Sequence, residues 1–529
     1  MREILCSGQA QSLEFPYPGG MAALCWSPAG GRGELTVSLH YDGACGMGEK
    51  YNAVNQKGHT AVNVVEEKFC FQGEKTYCPA PFFWTNTGFG LYAATDERTS
   101  FRFGEKAVCA ELPVDCRVVL FSGMPGEIIR DYMDLFGPAK LPPKWAFGPW
   151  ISANHWDSQE KVERAVAQAE EHGFPVCALV AEAWSDEATF YVFRGARYVP
   201  KPNGGAFRLE DFDFSDSPWP DPAGMVQRLH EKGIRFLLWQ IPVYKKQGPN
   251  EPLNAQNELD RADAVARGLC VHNADGSPYT IPEGHWFAGS MIPDFTNPAA
   301  EETWFSKRNY LTEMGIDGFK TDGGEFIYRE DVRFADGSSG RAGKNRYAQE
   351  YTAAYTKHLG SAQALFSRAG YAGQHTTPIH WAGDQQSQNS ELASALRAGL
   401  SAALTGIPFW GFDIGGFAGP LPTLDLYRRA TQLACFVPVM QWHSEPDGGQ
   451  FRELMPGGEG NNERSPWNLA AAYGKPEFVD EMRFWHNLRM ELLPYLYSVA
   501  LDCAEASRPM MRPLVYQWPE DPLVWDCED

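Results

Sequence analysis

From residue 145 onward short apolar runs alternate with helical patterns, and no other feature limits the fold as much. Lys144–Ala153 (KWAFGPWISA) is followed by a charged helical stretch, Ser158–His172. Then comes PVCALVAEAW, a second helical stretch at Ala223–Lys232, and RFLLWQIP. Further runs stand at Met291–Phe295, Gly318–Thr321, Ala364–Arg368, Ile379–Gly383, Pro408–Phe412 and Val437–Trp442, each trailed by a helical segment. Strands buried on both faces read as continuous apolar runs, and parallel strands need helical crossovers of one hand. The pattern predicts an α/β chain, a (β/α)8 TIM barrel over residues 141–507. It offers one strand too many, and Met291–Phe295 is taken as the surplus, a strand-like piece of a loop. The long connections Ser185–Trp219 and Lys245–Gly289 follow the second and third strands, where barrels build their binding face.

Residues 1–140 have a different texture. Short alternating segments such as Glu34–Tyr41, Lys68–Phe71, Gly90–Ala94 and Val114–Phe121 are separated by Gly, Asn and Asp turns, which predicts an N-terminal β-sandwich. The Pro- and Gly-rich stretch Phe136–Lys144 marks the boundary, because its prolines can continue neither a helix nor a central strand. Residues 508–529 read as the opening strand of a C-terminal β domain that is cut short.

Composition removes several classes of function. A formal charge of −21 repels a polyanion over most of the surface, so no nucleic-acid partner is expected. Twelve cysteines lie scattered without CxxC pairs or His-containing metal spacings, which predicts buried free thiols and no metal. The N-terminus has no basic segment followed by an apolar one, and no run approaches the roughly 18 apolar residues of a membrane span. The expectation is a cytoplasmic protein without a membrane partner. A homo-oligomer is compatible with the sequence.

Several strand ends carry chemistry. Gly315–Phe326 (GIDGFKTDGGEF) delivers Lys320, Asp322 and Glu325 at a strand end, where barrel side chains face the mouth. Read alone, its Asp-Gly-Gly is equally an ordinary turn. Phe366–Asp384 (FSRAGYAGQHTTPIHWAGD) presents Arg368 and Asp384, which could equally form a structural ion pair. Pro408–Phe417 (PFWGFDIGGF) places Asp413 among aromatic residues, and Met440–Glu445 (MQWHSE) places His443 similarly. A lone histidine there is more often a hydrogen-bonded core residue. Polar groups at the ends of so many strands form one signal that none of them forms alone.

These motifs, with GMGEKYNAVNQKG at 46–58 and PFFWTNTGFGLY at 81–92, resemble glycoside hydrolase family 31, the family of α-glucosidases and α-xylosidases. The resemblance runs to about residue 515. It implies a retaining α-glycosidase that cleaves a terminal non-reducing α-linked residue, glucosyl or xylosyl, from an oligosaccharide. It implies Asp322 as the nucleophile, in the K-T-D-x-G-E motif of the fourth strand, and Asp384 as the acid/base, in a W-x-G-D motif that includes Trp381. Arg368, Trp410, Asp413 and His443 match positions that line the sugar subsite, with Glu182, Trp239 and Lys320 beside them. No cofactor is needed. Physical chemistry adds that the nucleophile must stay ionised, so Lys320 and Arg368 are expected next to Asp322. Asp384 must hold a proton, so burial against Trp381 and less cationic company are expected there.

Two positions depart from the family pattern. Members resembling α-glucosidases carry an Asp two residues after the acid that closes the second strand, whereas Ala181–Asp186 (AEAWSD) has Glu182 and then Trp184. An indole in the subsite would crowd a hexose hydroxymethyl group, which leans the reading toward α-xylosidases. The third-strand motif, usually W-x-N-P, reads LWQIP, with Gln240 for Asn. The neighbouring Lys245–Lys246 are either solvated lysines or contacts for an anionic sugar. An α-galactosidase, an α-N-acetylgalactosaminidase, a sulfoquinovosidase and a non-catalytic carbohydrate-binding protein remain alternatives.

Overall fold

The computed structural model describes residues 1–444 and 462–527; Glu445, the end of the MQWHSE segment, and the last two residues lie outside them. Eight parallel strands close into a barrel: Pro149–Ala153, Ala178–Ala181, Arg235–Gln240, Gly318–Thr321, Ala364–Ser367, Ile379–Trp381, Trp410–Asp413 and Val439–Ser444. Pro149–Ala153 pairs with both its successor and the last strand, which completes the ring. The surplus run Met291–Phe295 is outside it and forms the isolated bridges Tyr244↔Met291 and Cys270↔Pro293.

Inward-facing side chains fill the barrel rather than leaving a pore. Trp150 packs on Phe366 at 5.3 Å between centroids, and Phe366 on Trp381 at 4.9 Å; Leu237, Ile379 and Val439 complete this layer. The crossover helices start where the sequence supplies caps. Ser158 accepts the Lys161 amide at the head of Gln159–Glu171, and Asp221 accepts the Gly224 amide at the head of Pro222–Glu231, each cap contributing about 1 kcal/mol.

The N-terminal residues form two antiparallel sheets packed face to face. One has five strands, in the order Arg2–Cys6, Cys116–Ser122, Phe89–Ala94, Pro79–Thr85, Ala44–Gly48. The other has six, Gln11–Tyr17, Gly20–Ala29, Arg32–Ser38, Ala107–Pro113, Thr99–Phe103, Thr60–Asn63. Alternation within Gly20–Ala29 sends Ala22, Leu24 and Trp26 into the core between the sheets, the period-2 signature of a half-buried strand. A helix, Pro125–Met133, and the irregular stretch 137–143 lead to the barrel.

Two expectations fail. Lys68–Phe71 is a loop, with Cys70 and Phe71 at φ 58° and 47°, values that no strand ladder accommodates. Residues 508–527 contain no strand. They form a short helix, Leu514–Gln517, and a 3-10 turn, Pro522–Asp526, that folds back so that Trp525 packs edge-on against Trp84 of the sandwich. Periodicity over so few residues cannot separate a strand from a turn anchored by one large side chain. All twelve cysteines are free, and among the described residues no helix is long and apolar enough to cross a membrane.

The floor of the barrel is tied by one cation. Arg489, on the long helix Glu477–Ala506, is fully buried. Its guanidinium donates to the carbonyl oxygens of Phe147 (2.7 Å), Ala434 (3.3 Å), Cys435 (2.9 Å), Val437 (2.6 Å) and Pro438 (2.6 Å). These acceptors belong to the entries of the first and last strands and to the end of the helix before the last, so one side chain joins the barrel's closing seam to the outer helix. Replacing it strands buried acceptors that cost about 1 kcal/mol or more each. Arg489→Leu is therefore expected to lose about 3 kcal/mol or more in urea unfolding; a loss under 1 kcal/mol would show that the seam does not depend on it.

Candidate active site

The C-terminal ends of the strands open into a cavity of about 640 Å³. Glu182, Trp239, Lys320, Asp322, Arg368 and Asp384 line it. Trp239 and Lys320 stand one position before the end of their strands, Glu182, Asp322 and Arg368 are the first residues beyond theirs, and Asp384 is the third.

Asp322 continues the ladder of the fourth strand, its amide donating to the Gln240 carbonyl at 2.9 Å. The chain then leaves through Gly323 and Gly324 at φ 71° and 106°, where a Cβ on Gly323 would lie 2.6 Å from Ile241. Only glycine serves there. The turn aims the Gly323 amide back at Asp322 Oδ1 (2.8 Å), and Trp239 Nε1 donates to Oδ2 at 3.0 Å. Asp384 leaves the sixth strand by a similar device, since Gly383 at φ 69° passes so close to the Tyr77 ring that a Cβ would lie at 2.3 Å.

Arg368 connects these groups. Its Nε and Nη2 each reach a different oxygen of Glu325 at 3.1 Å, while Nη1 lies 3.1 Å from Asp322 Oδ1 and 3.8 Å from Asp384 Oδ2. The rings of Tyr77 and Trp286 stand 4.6 and 5.4 Å from its guanidinium carbon. Lys320 is the second buried cation. It bonds Glu182 Oε1 at 2.5 Å and sits 4.7 Å over the Trp381 ring, so among the cations of the described residues only Arg368 pairs with Asp322. The expected Lys320 contact with Asp322 is instead a contact with Glu182.

Two cations among Glu182, Asp322, Glu325, Asp384 and Asp413 leave the site short of positive charge. Burial pushes the Asp384 carboxyl up to about 8; Arg368 and Lys320 oppose this, while Asp322 and Asp413 add to it. Burial also raises Glu182, Glu325 and Asp413, against the pull of Lys320 or Arg368. Burial lowers Lys320, but Glu182, Asp413 and Asp322 outweigh it and hold the ammonium form. His443 falls well below its usual range, first through burial and then through Lys320 and Arg464, so the ring is neutral. Its Nδ1 shares a 2.6 Å hydrogen bond with Ser152 Oγ, and its Nε2 lies 3.6 Å from Glu182 Oε2.

The other sequence-derived residues lie further back. Asp413 is buried behind Lys320 and takes a 2.7 Å bond from Gln441. Trp381 belongs to the barrel fill, and Trp410 donates to Glu49 Oε1 at 2.7 Å from within the core. Neither lines the cavity, and the Trp381 indole makes no hydrogen bond to Asp384. Trp184 and Gln240 stand apart from it too. The Trp184 indole is fully buried, edge-on to Phe193, with Nε1 bonded to the Trp239 carbonyl at 3.0 Å. Gln240 holds the Phe190 carbonyl (2.8 Å) and accepts from Arg308 (2.6 Å). The steric argument for a xylosyl preference therefore lapses, because Ala183 rather than the indole forms the wall.

Glu67, Phe69, Asn154, Glu187, Trp286, Phe287 and Phe417 complete the lining, with Lys245 and Lys246. Trp286 and Phe287 come from the long connection after the third strand. Glu67 and Phe69 come from the sandwich loop that had read as a strand, and no periodicity signals a loop that crosses between domains.

Known proteins resemble the chain over most of its length. The family model "Glycosyl hydrolases family 31 TIM-barrel domain" matches residues 139–499. An isomaltosyltransferase of Sporosarcina globispora is 37% identical over 90% of this chain and 44% of its own length. A 1,3-alpha-isomaltosidase of Kribbella flavida is 36% identical over 94% of this chain and 69% of its own. Among solved structures, a cycloalternan-forming enzyme from Listeria monocytogenes in complex with pentasaccharide substrate superposes with a TM-score of 0.90 at 35% identity, covering 96% of this chain and 50% of that one. A cycloalternan-degrading enzyme from Trueperella pyogenes gives 0.89 at 35%, over 96% and 71%. The chain thus spans about half to two thirds of the length of such relatives, and it belongs to glycosyl hydrolase family 31.

Proposed function

We propose that this chain is a retaining α-glycosidase acting on α-glucosyl oligosaccharides, with Asp322 as the nucleophile and Asp384 as the acid/base. One observation carries the reading: a single nitrogen of Arg368 lies 3.1 Å from Asp322 and 3.8 Å from Asp384, and burial pushes Asp384 into the range where it holds a proton at neutral pH. A retaining pair needs its carboxyls close, about 5–5.5 Å apart, so that one attacks while the other protonates. Asp322, addressed by the Arg368 guanidinium, the Gly323 amide and the Trp239 indole, attacks the anomeric carbon and the glycosidic C–O bond breaks. Asp384 gives its proton to the departing oxygen. It then takes a proton from the incoming water or sugar hydroxyl as the glycosyl–Asp322 ester is cleaved.

An α-glucosyl donor fits better than an α-xylosyl one. The wall after the second strand is Ala183, which leaves room for a hydroxymethyl group, and the relatives at 36–37% identity are named for isomaltosyl units. The cavity is also larger than one pyranose ring requires. Whether water or a sugar hydroxyl resolves the intermediate is read from the products at high donor concentration.

Aryl α-glucosides and α-glucosyl oligosaccharides are expected to be turned over faster than the corresponding α-xylosides, and Asp322→Asn is expected to lower kcat by at least about 10⁴-fold. Equal rates for the variant and the parent chain exclude the nucleophile role. The pH profile gives a separate check. The acid must be protonated to act, and the raised Asp384 keeps its proton until about pH 8. kcat/KM should therefore hold up to that point and then fall about tenfold per pH unit. A profile flat to pH 9.5 contradicts the assignment.

A further inference from the structure

The hairpin after the second barrel strand spends strain on a residue that supports nothing around it. Glu187 and Phe190 adopt φ 55° and 57°, left-handed values that non-glycine residues take at a cost and that cluster where a chain binds or reacts. The surroundings enforce them. Ser185 bridges Phe193, and the Asp186 amide donates to the Val192 carbonyl at 2.9 Å. Asp186 Oδ1 accepts from the Ala188 and Thr189 amides and the Thr189 hydroxyl, and Oδ2 from Asn254. Trp184 and Gln240, the two departures from the family pattern, are anchors of this hairpin through their bonds to the carbonyls of Trp239 and Phe190. Phe190 packs edge-on against Trp239 and Phe287, both cavity walls.

What the hairpin presents is Glu187. It lines the cavity, and its carboxyl makes no hydrogen bond or ion pair among the described residues. The adjacent Lys245 Nζ goes instead to the Glu187 carbonyl (2.8 Å) and to Glu251 (3.0 Å). Burial pushes the carboxyl up to about 7, with Lys245 opposing. A part-buried acid without partners is costly unless something arrives to bond it.

Its position says what arrives. Asp384 follows the sixth strand, with Gln72, Glu67 and Phe69 of the sandwich loop beside it. As the acid it faces the leaving group, so that side takes the departing sugar. Glu187 and Lys245 follow the second and third strands, across the ring of strands from the sixth, and on the α-glucosyl reading that side faces the sugar that is retained. We propose that Glu187 grips hydroxyls of a second glycone sugar, so that the hairpin 184–194 makes the chain a receptor for an isomaltosyl unit rather than for a single glucosyl residue. This rests on the α-glucosyl reading above. A carboxylate accepts hydrogen bonds from two neighbouring pyranose hydroxyls, and the flanking aromatic walls take the C–H faces.

The test is a calorimetric titration of glucose and of isomaltose into the parent chain and the Asp322→Asn variant, each with and without Glu187→Ala or Glu187→Gln. Isomaltose is expected to bind more tightly than glucose. Glu187→Ala should weaken isomaltose about ten- to hundredfold and glucose less than twofold, with Glu187→Gln in between and melting temperatures within a few degrees of the parent. Isomaltose affinity unchanged by Glu187→Ala, glucose weakened in parallel, or isomaltose no tighter than glucose in the parent would each overturn the subsite. A parent chain that binds isomaltose in this way but turns over no α-glycoside would sink the hydrolytic reading and leave the subsite standing.

Discussion

A buried guanidinium must be surrounded by acceptors, and Arg368 imposes that requirement on the upper half of the molecule. Taking an unpaired charge out of water costs several kcal/mol, so every element that reaches Arg368 has to bring an acid or an aromatic face. The fourth strand brings Asp322 and, one turn on, Glu325; the sixth brings Asp384. The sandwich contributes Tyr77 and the insertion after the third strand contributes Trp286. The bidentate bond to Glu325 fixes the plane of the guanidinium, and the remaining nitrogen then falls between the two aspartates. The spacing of the aspartates thus depends on the Arg368–Glu325 ion pair.

The same scarcity of cations divides the work between the carboxyls. With Lys320 committed to Glu182 and two Arg368 nitrogens to Glu325, the remaining positive charge leans to Asp322, at 3.1 Å, over Asp384, at 3.8 Å. Asp322 also has two neutral donors aimed at it, whereas Asp384 has none among the described residues. Hydrogen bonds to a carboxylate favour the charged form and desolvation opposes it. Asp322 is therefore the more fully bonded of the two carboxyls, while burial pushes its neighbour Asp384 up to about 8.

How much of this is legible in the sequence follows from which forces act locally. The barrel strands are written in composition, because a strand buried on both faces has no choice but to be apolar. Even the surplus Met291–Phe295 betrayed itself by making the total nine. The acids at strand ends were legible for a related reason, as a polar residue that closes an apolar run on a barrel has the mouth to face. One or two residues further along the rule fails. The direction of Trp184 and Gln240 is set by the hairpin 184–194 and by Arg308, partners distant in sequence, and a residue type cannot say whether it faces ligand or core. Trp381 and Trp410 illustrate the same limit, since an indole satisfies a barrel interior as well as a sugar face.

The walls and the machinery consequently obey different constraints. Asp322, Asp384, Arg368 and Lys320 are tied by charge pairing, and removing either cation leaves buried acids without it. Glu187, Phe69 and Phe287 hang on loops whose attachments, such as Gln240 to Phe190, involve none of these charges. A fold arranged in this way changes which sugar it accepts by rebuilding hairpins and insertions, while bond cleavage stays with the strand ends. The two departures at Trp184 and Gln240 fit that division. They leave the carboxyl pair untouched and alter the loop beside it, so on the proposed reading they bear on the length and shape of the sugar the cavity admits rather than on the mechanism.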